Sequence, residues 1–388
     1  MPFIATKPVR VQPYFGWRSE QRLHLQARAL RSRPPKFGAA GRWQALRTMI
    51  AQFASHEVEG LEVRLEWIDG AGERQTHTAW SDSEGYVRFD IALDAPWPLE
   101  VDTRWEVVSL HWDNREGEQV VDAHVLAPGT RAGLAVISDI DDTIIETGIT
   151  GNLRAVARNW RRILLEMPEE RLLVPGADVF YTALGGGAVL RDGEDHTGDS
   201  VPATRHPFFY VSSSPWNLFS YLVAFQRTRG LPLGPITMRD WGLNRDTFAS
   251  SSHGAHKIAA IEDILQSFPD MPFALIGDDT QGDLTAFGDI VARHADRIRA
   301  VFIRKAGEAF SPEELEAKAT IRAAGIPLWL GDAYKTGQDF LRAIGLDQDG
   351  EAEKIVEAVD AAQASKPLPD APPEPAPEST PEPAADRG

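Results

Sequence analysis

The sequence predicts an α/β protein, a doubly wound parallel sheet over residues 134–350 preceded by a smaller β-sandwich-like domain over 15–127. Three observations carry this reading. Before residue 127 the apolar residues recur with period two, and after 134 buried apolar runs alternate with helical stretches. The chain then ends in a Pro-rich acidic segment, 366–388. A length of 388 residues suits two ordinary domains and a tail, and 43% hydrophobic residues can furnish a core for each.

The first domain reads as short strands. Leu23, Leu25, Ala27 and Ala29 alternate with polar neighbours, as do Leu61, Val63, Leu65 and Trp67 with Glu62, Arg64 and Glu66. Asp69-Gly70-Ala71-Gly72 and Asp82-Ser83-Glu84-Gly85 are turns, and Val87, Phe89 and Ile91 continue the alternation between Arg88 and Asp90. Val107 and Val121 lie in further strand-like runs, and strands at this spacing suggest a sandwich. One helix interrupts them, with Trp43, Leu46, Ile50 and Phe53 on one stripe. Residues 127–133, APGTRAG, form the linker.

Beyond it, Leu134–Ser138, Phe208–Ser212, Ile236–Arg239, Phe273–Gly277 and Ala300–Ile303 read as buried strands. Helical stretches at 216–228, 256–267 and 312–324 separate several of them, the signature of a doubly wound sheet. Such sheets bind ligands at the carboxyl ends of their strands. Residues 366–388 hold eight Pro, five acids and Leu368 as the one large apolar residue, a composition that predicts disorder.

Composition excludes several classes. The first 50 residues carry +9, leaving −26 for the rest of a net −17, which argues against a nucleic-acid-coating protein. There is no Cys, so thiol nucleophiles, disulfide scaffolds and Cys-based metal sites are out. No run is long and apolar enough for a membrane span, and the opening residues lack the apolar core of a signal peptide. The expectation is a cytoplasmic protein.

The chemistry lies where the predicted strands end. Asp139-Ile140-Asp141-Asp142-Thr143 follows the first, and extended backbone puts Asp139 and Asp141 on a common side. Converging carboxylates repel unless they share a proton or a cation, and hard oxygen donors favour Mg²⁺. The second strand ends Ser212-Ser213-Ser214-Pro215-Trp216, offering hydroxyls and N–H groups suited to a phosphoryl group. Lys257 opens a helix, where a cation opposes the dipole unless an anion sits there too. The fourth strand ends Gly277-Asp278-Asp279-Thr280-Gln281-Gly282-Asp283. Each has an ordinary alternative: an Asp-rich turn, a Ser cap, a surface Lys, another Asp/Gly turn. Four coinciding in chain order at four strand ends is not ordinary.

This order of motifs resembles the haloacid dehalogenase (HAD) phosphohydrolase superfamily. Within it, DIDDTI, YVSSSPWNL, HK and IGDDTQGD are similar to the actin-patch-protein type of phosphatidate phosphatase, to which lipin catalytic domains are related. The likeness spans about residues 130–305. It implies that Asp139 is the nucleophile, forming an aspartyl-phosphate, and that Asp141 is the general acid and then base. Ser212 and Lys257 would hold the phosphoryl group, with Ser213 and Thr143 among the substrate-binding residues and Thr143 orienting the nucleophile's loop. Asp139, Asp278 and the Asp141 carbonyl would bind Mg²⁺, with Asp283 as a further acid. Where the family has Ser-Gly-Gln after its Gly-Asp, this chain has Asp279-Thr280-Gln281, which leaves open whether Asp279 or Asp283 is the additional acid.

The implied substrate is phosphatidate at a membrane surface, with no nucleic-acid partner and no protein partner legible. Residues 152–166 read as a basic amphipathic helix with Trp160, compatible with anionic lipid, although most such helices simply pack on their own domain. A soluble phosphomonoester substrate and a non-catalytic lipid or phosphate sensor are the alternatives. Residues 184–206 form a Gly-rich polar insert without a clear counterpart.

Overall fold

The computed structural model describes residues 8–31, 56–141, 143–144, 173–186, 188–189, 203–239, 253–305 and 309–346. The expected helix at 43–53, the basic helix at 152–166 and the tail at 366–388 lie outside them, as does most of the 184–206 insert.

Two sheets organise the described residues. The first holds β1 (Val9–Pro13), β2 (Gly16–Arg18), β3 (Arg22–Arg31), β4 (His56–Glu57) and β5 (Glu62–Ile68). It continues with β6 (Arg74–Trp80), β7 (Tyr86–Ala92), β8 (Arg104–Asn114) and β9 (Gly117–Ala127). The pairing is antiparallel except where β2 runs parallel to β9. The alternation expected from the sequence is present: Val63, Leu65 and Trp67 are buried, as are Leu23, Leu25, Ala27 and Ala29. Each strand therefore contributes one apolar face, and side chains from β3, β5, β7, β8 and β9 meet in one cluster. The sandwich expectation needs one amendment. All nine strands are joined in a single hydrogen-bonded sheet folded over a common core, in place of two separate sheets.

The second sheet is parallel throughout. It begins with β10 (Ala135–Asp139), followed by α1 (Ala177–Leu184) and the short pair β11 (Ala188–Val189) and β12 (Ala203–Thr204). Then come β13 (Phe208–Pro215), α2 (Phe219–Thr228), β14 (Ile236–Arg239), α3 (His253–Ser267), β15 (Phe273–Asp278) and α4 (Asp283–His294). The last elements are β16 (Ile298–Arg304), α5 (Pro312–Ala323), β17 (Leu328–Gly331) and α6 (Tyr334–Ala343). All five expected strands are present, and β17 is a sixth that the sequence reading did not include. The order is β14-β13-β10-β15-β16-β17. Apolar side chains cover both faces in two clusters, as a sheet flanked by helices on both sides requires. No helix among the described residues is long and apolar enough to cross a membrane.

The two sheets touch through aromatic residues. Tyr14 stacks on Trp216 at 4.3 Å, and Trp17 Nε1 donates to Ser267 Oγ at 3.3 Å. Arg28, also buried, donates from Nη1 to Asn217 Oδ1 at 2.5 Å.

Candidate active site

In this sheet order β10 and β15 are neighbours, with β13 and β14 on one side and β16 and β17 on the other. Where the winding reverses between two neighbours, their carboxyl ends leave a crevice. Asp139 is the last residue of β10 and Asp278 the last of β15. Both are buried, as are Asp141, Thr143, Ser212, Ser213, Lys257 and Asp283. The structure brings Asp139, Thr143, Lys257, Asp278 and Asp283 into one network and sets Asp141 against Ser212, with Ser213 buried beside it in sequence.

Lys257, on the second turn of α3, inserts its ammonium between two carboxylates. Its Nζ lies 2.8 Å from Asp139 Oδ1 and donates a short hydrogen bond to Asp283 Oδ1. The contact to Asp139 is an ion pair without hydrogen-bond alignment, so Asp139 Oδ1 is left as a buried oxygen with no aligned donor. Thr143 Oγ1 sits between the other two carboxylate oxygens, 3.2 Å from Asp139 Oδ2 and 3.1 Å from Asp278 Oδ2. Asp278 is fixed in turn by Thr280, whose N–H and hydroxyl both donate to its Oδ1 at 2.5 Å.

Asp283 reaches this cluster because of two glycines. Gly282 precedes α4 with φ of 79°, a conformation that costs a residue with a side chain. A Cβ on Gly277 would lie 2.6 Å from both Cβ and Oδ2 of Asp283, so only glycine leaves room for that carboxylate. Asp283 Oδ2 then accepts the N–H of Asp278 at 3.0 Å. Among the described residues Asp283, and not Asp279, is grouped with the carboxylates of Asp139 and Asp278.

Asp141 faces elsewhere. Its carboxylate accepts from Ser212 Oγ at 2.7 Å and from Ser214 Oγ at 3.0 Å to each oxygen. Its carboxylate stands outside the group formed by Asp139, Asp278 and Asp283, and the expected role of Asp141 toward a metal is that of its carbonyl. Ser214 is a site residue that the sequence reading quoted without assigning a role. The same holds for Thr280 and Ser138, while Tyr181 and Tyr334 were not singled out in the sequence. Their contacts to the Asp139 loop cross 43 residues for Tyr181 and 191 for Tyr334.

The electrostatics are lopsided. Burial, and then the charge of Asp283, push Asp139 well above the usual carboxylate range, with Lys257 opposing them. The same two causes push Asp278 up to about 7. Burial alone would lower Lys257, but Asp139, Asp283 and Asp278 outweigh it and hold the ammonium well above an ordinary lysine. Three carboxylates facing one ammonium leave excess negative charge, which a second cation would neutralise. Oxygen atoms of Asp139, Asp278 and Asp283 lie within 4.8 Å of one another. Three carboxylates this close together are the kind of hard oxygen donors that a divalent ion such as Mg²⁺ takes.

A family model described as "Phosphatidate phosphatase APP1, catalytic domain" matches residues 134–305. The Phosphatidate phosphatase APP1 of Saccharomyces cerevisiae is 31% identical over 172 residues, 44% of this chain and 26% of the yeast protein. An uncharacterized protein of Schizosaccharomyces pombe is 24% identical over 225 residues, 57% of this chain and 33% of its own length. The chain therefore spans a quarter to a third of these curated relatives. Among solved structures, a Parabacteroides merdae β-glucuronidase covers 83% of this chain and 47% of its own at 8% identity. Its TM-score of 0.24 carries no argument about the fold. Residues 134–305 are thus similar to the catalytic domain of the APP1-type phosphatidate phosphatases.

Proposed function

We propose that this protein is a Mg²⁺-dependent phosphomonoester hydrolase of HAD type that converts phosphatidate to diacylglycerol and phosphate. The observation that carries the chemistry is the buried set at the ends of β10 and β15: Asp139, Lys257, Asp278 and Asp283 in mutual contact, with Asp141 held on Ser212 and Ser214. The yeast relative's name supplies the substrate.

In this reading Asp139 attacks phosphorus through Oδ1, the oxygen with no aligned hydrogen-bond donor. The P–O bond to the diacylglycerol oxygen breaks as an aspartyl-phosphate forms. Asp141, in its acid form, gives its proton to the departing alkoxide. It then accepts a proton from the water that attacks the acyl phosphate, releasing phosphate and restoring Asp139. Lys257 and the Ser212 hydroxyl offset charge on the transferring group. Mg²⁺ held by Asp139, Asp278 and Asp283 would add further positive charge there and keep Asp139 ionised. Thr143 holds Asp139 and Asp278 at a fixed separation through its one hydroxyl.

Phosphate release from phosphatidate in detergent micelles tests this, with and without Mg²⁺, beside p-nitrophenyl phosphate and other soluble esters. Turnover should be Mg²⁺-dependent, fastest on phosphatidate, and lost in Asp139→Asn by at least about a thousandfold. Undiminished turnover in that variant would remove the nucleophile assignment. Activity on soluble esters alone would keep the chemistry and discard the lipid.

A further inference from the structure

Two tyrosines lie beneath the site in surroundings where phenylalanine would pack equally well. Tyr181 and Tyr334 are completely buried in the apolar cluster on one face of the parallel sheet. Tyr181 stacks on Phe208 at 5.7 Å and Tyr334 on Phe180 at 4.8 Å. A hydroxyl in such a place costs stability unless it finds a partner. Burial pushes both phenols up, so each stays a donor.

Their partners are the two ends of one short segment. Tyr334 donates to the carbonyl of Thr143 at 2.9 Å. Ser138 Oγ donates to the carbonyl of Asp139 at 2.7 Å and lies 2.6 Å from the Tyr181 hydroxyl. Either hydroxyl can be the donor of that last bond, which ties Tyr181 to Ser138 in both cases. The segment Asp139–Thr143 carries Asp139, Asp141 and Thr143, and its first and last carbonyls are both held from below.

We infer that Ser138, Tyr181 and Tyr334 form a hydroxyl clamp that positions the Asp139–Thr143 segment for reaction. Tyr334 belongs to α6, beyond the 134–305 span of the family match, so the working unit extends at least to that helix. These are positioning residues, since none of them is expected to touch substrate. The kinetic half of the inference rests on the proposed phosphatase reading; the structural half does not.

Tyr334→Phe and Tyr181→Phe keep the rings and remove only the hydroxyls, and Ser138→Ala breaks the same chain at its other end. Two measurements decide the matter. The first is amide hydrogen exchange of the peptide spanning 139–144, in which Ile144 N–H bonds to Ile140 O at 3.0 Å. The second is steady-state hydrolysis of phosphatidate and p-nitrophenyl phosphate with Mg²⁺. Each variant should exchange about tenfold faster in that peptide, with no change over 104–127 in the other sheet. Each should lose about tenfold or more in kcat with KM within about twofold, because small misplacements of reacting groups are costly.

Unchanged exchange in both tyrosine variants overturns the clamp. Faster exchange with undiminished kcat overturns its positioning role. If Tyr334→Phe fails to fold, Tyr181→Phe and Ser138→Ala carry the same two readouts. A wild-type protein that turns over none of these esters defeats the proposed function alone, and the exchange measurement still decides the clamp.

Discussion

The two sheets treat charge in opposite ways. On the antiparallel sheet, charged side chains alternate with the core and pair in water's reach: Arg64 with Glu66 and Glu118, Arg22 with Asp90, Arg88 with Asp82. In the parallel sheet the charges are at the centre, with Lys257, Asp139 and Asp283 no more than 3% exposed. Burial by itself does not separate them, because the first sheet also hides an ion pair. Arg18 is fully buried, yet it meets Glu106 at 2.6 and 2.7 Å, donates to the Trp97 carbonyl at 2.8 Å and lies 4.0 Å over the Trp97 ring. Arg104 joins Glu106 at 3.0 Å and also pairs with Glu100, so two cations there meet two anions, and the Arg18 guanidinium is well supplied with acceptors. Around Lys257 the count is uneven, with three carboxylates in the cluster and an oxygen of Asp139 lacking an aligned donor. Imbalance, more than burial, distinguishes a place built to receive another charged group from a place built to hold the fold.

The largest expected effect attacks that imbalance through its geometry. Gly277→Ala puts a methyl where Asp283 now sits, 2.6 Å from its Cβ and Oδ2. Asp283 has to move, and the acceptor of the Asp278 N–H and one partner of Lys257 move with it. Turnover should fall by about a hundredfold or more, with a stability loss of about 1–3 kcal/mol from overpacking. Steady-state kinetics and thermal melting check both numbers. Wild-type kinetics in this variant would show that Asp283 is not needed where the structure puts it.

A smaller effect follows from charge. An acid whose pKa rises on folding binds its proton more tightly in the folded state. The folded protein is therefore favoured below the ordinary carboxylate range and loses that advantage as pH rises. For Asp278 the window runs from 3.8 up to about 7. A divalent cation competes with those protons, so the melting shift produced by Mg²⁺ should grow between pH 5.5 and 8. It should be larger at pH 8 than at pH 5.5, and Asp278→Asn should flatten the difference. Equal shifts at the two pH values in the wild type would mean that the cation does not share these carboxylates.

The same contrast explains what the sequence made legible. Period-two alternation located β3, β5 and β7 because each buried residue has a polar neighbour, but alternation says nothing about which strand is the next partner. One sheet folded on itself and two stacked sheets give the same letters. The helix expected at 312–324 is present as α5, and the structure shows its start held by a reciprocal cap of Ser311 and Glu314 with Pro312 in the first turn. The site residues were readable because acids, serines and a lysine fall at strand ends in a telling order. Asp141 could be named but not aimed, for its orientation depends on Ser212 and Ser214, more than 70 residues away. β17 and α6 escaped notice: the strand is four residues long, and Tyr334 acts only through a contact made across the fold.

The smallest expected effects compare two arginines of the antiparallel sheet. Arg28 spans the boundary between the sheets. Its Nε donates to the Glu84 carbonyl at 3.0 Å, its Nη2 meets Glu57 at 3.1 Å and its Nη1 reaches Asn217. Asn217 lies three residues after Ser214, and its neighbour Trp216 is stacked on Tyr14. Removing the guanidinium takes a donor from the half-buried Asn217 and Glu84, which costs about 0.5–1.5 kcal/mol, and loosens the stretch of chain that presents Ser212 and Ser214 to Asp141. Arg28→Gln should therefore lower both the melting temperature and kcat, the latter by several-fold. Arg64 makes two ion pairs, with Glu66 and Glu118, against one for Arg28, but makes them nearer to solvent, where pairing exchanges one good environment for another. Arg64→Gln should leave melting and turnover within error of wild type. If Arg28→Gln proved equally silent, the antiparallel sheet would be a passenger on the parallel one; a fall in kcat would make it part of what holds the serine loop.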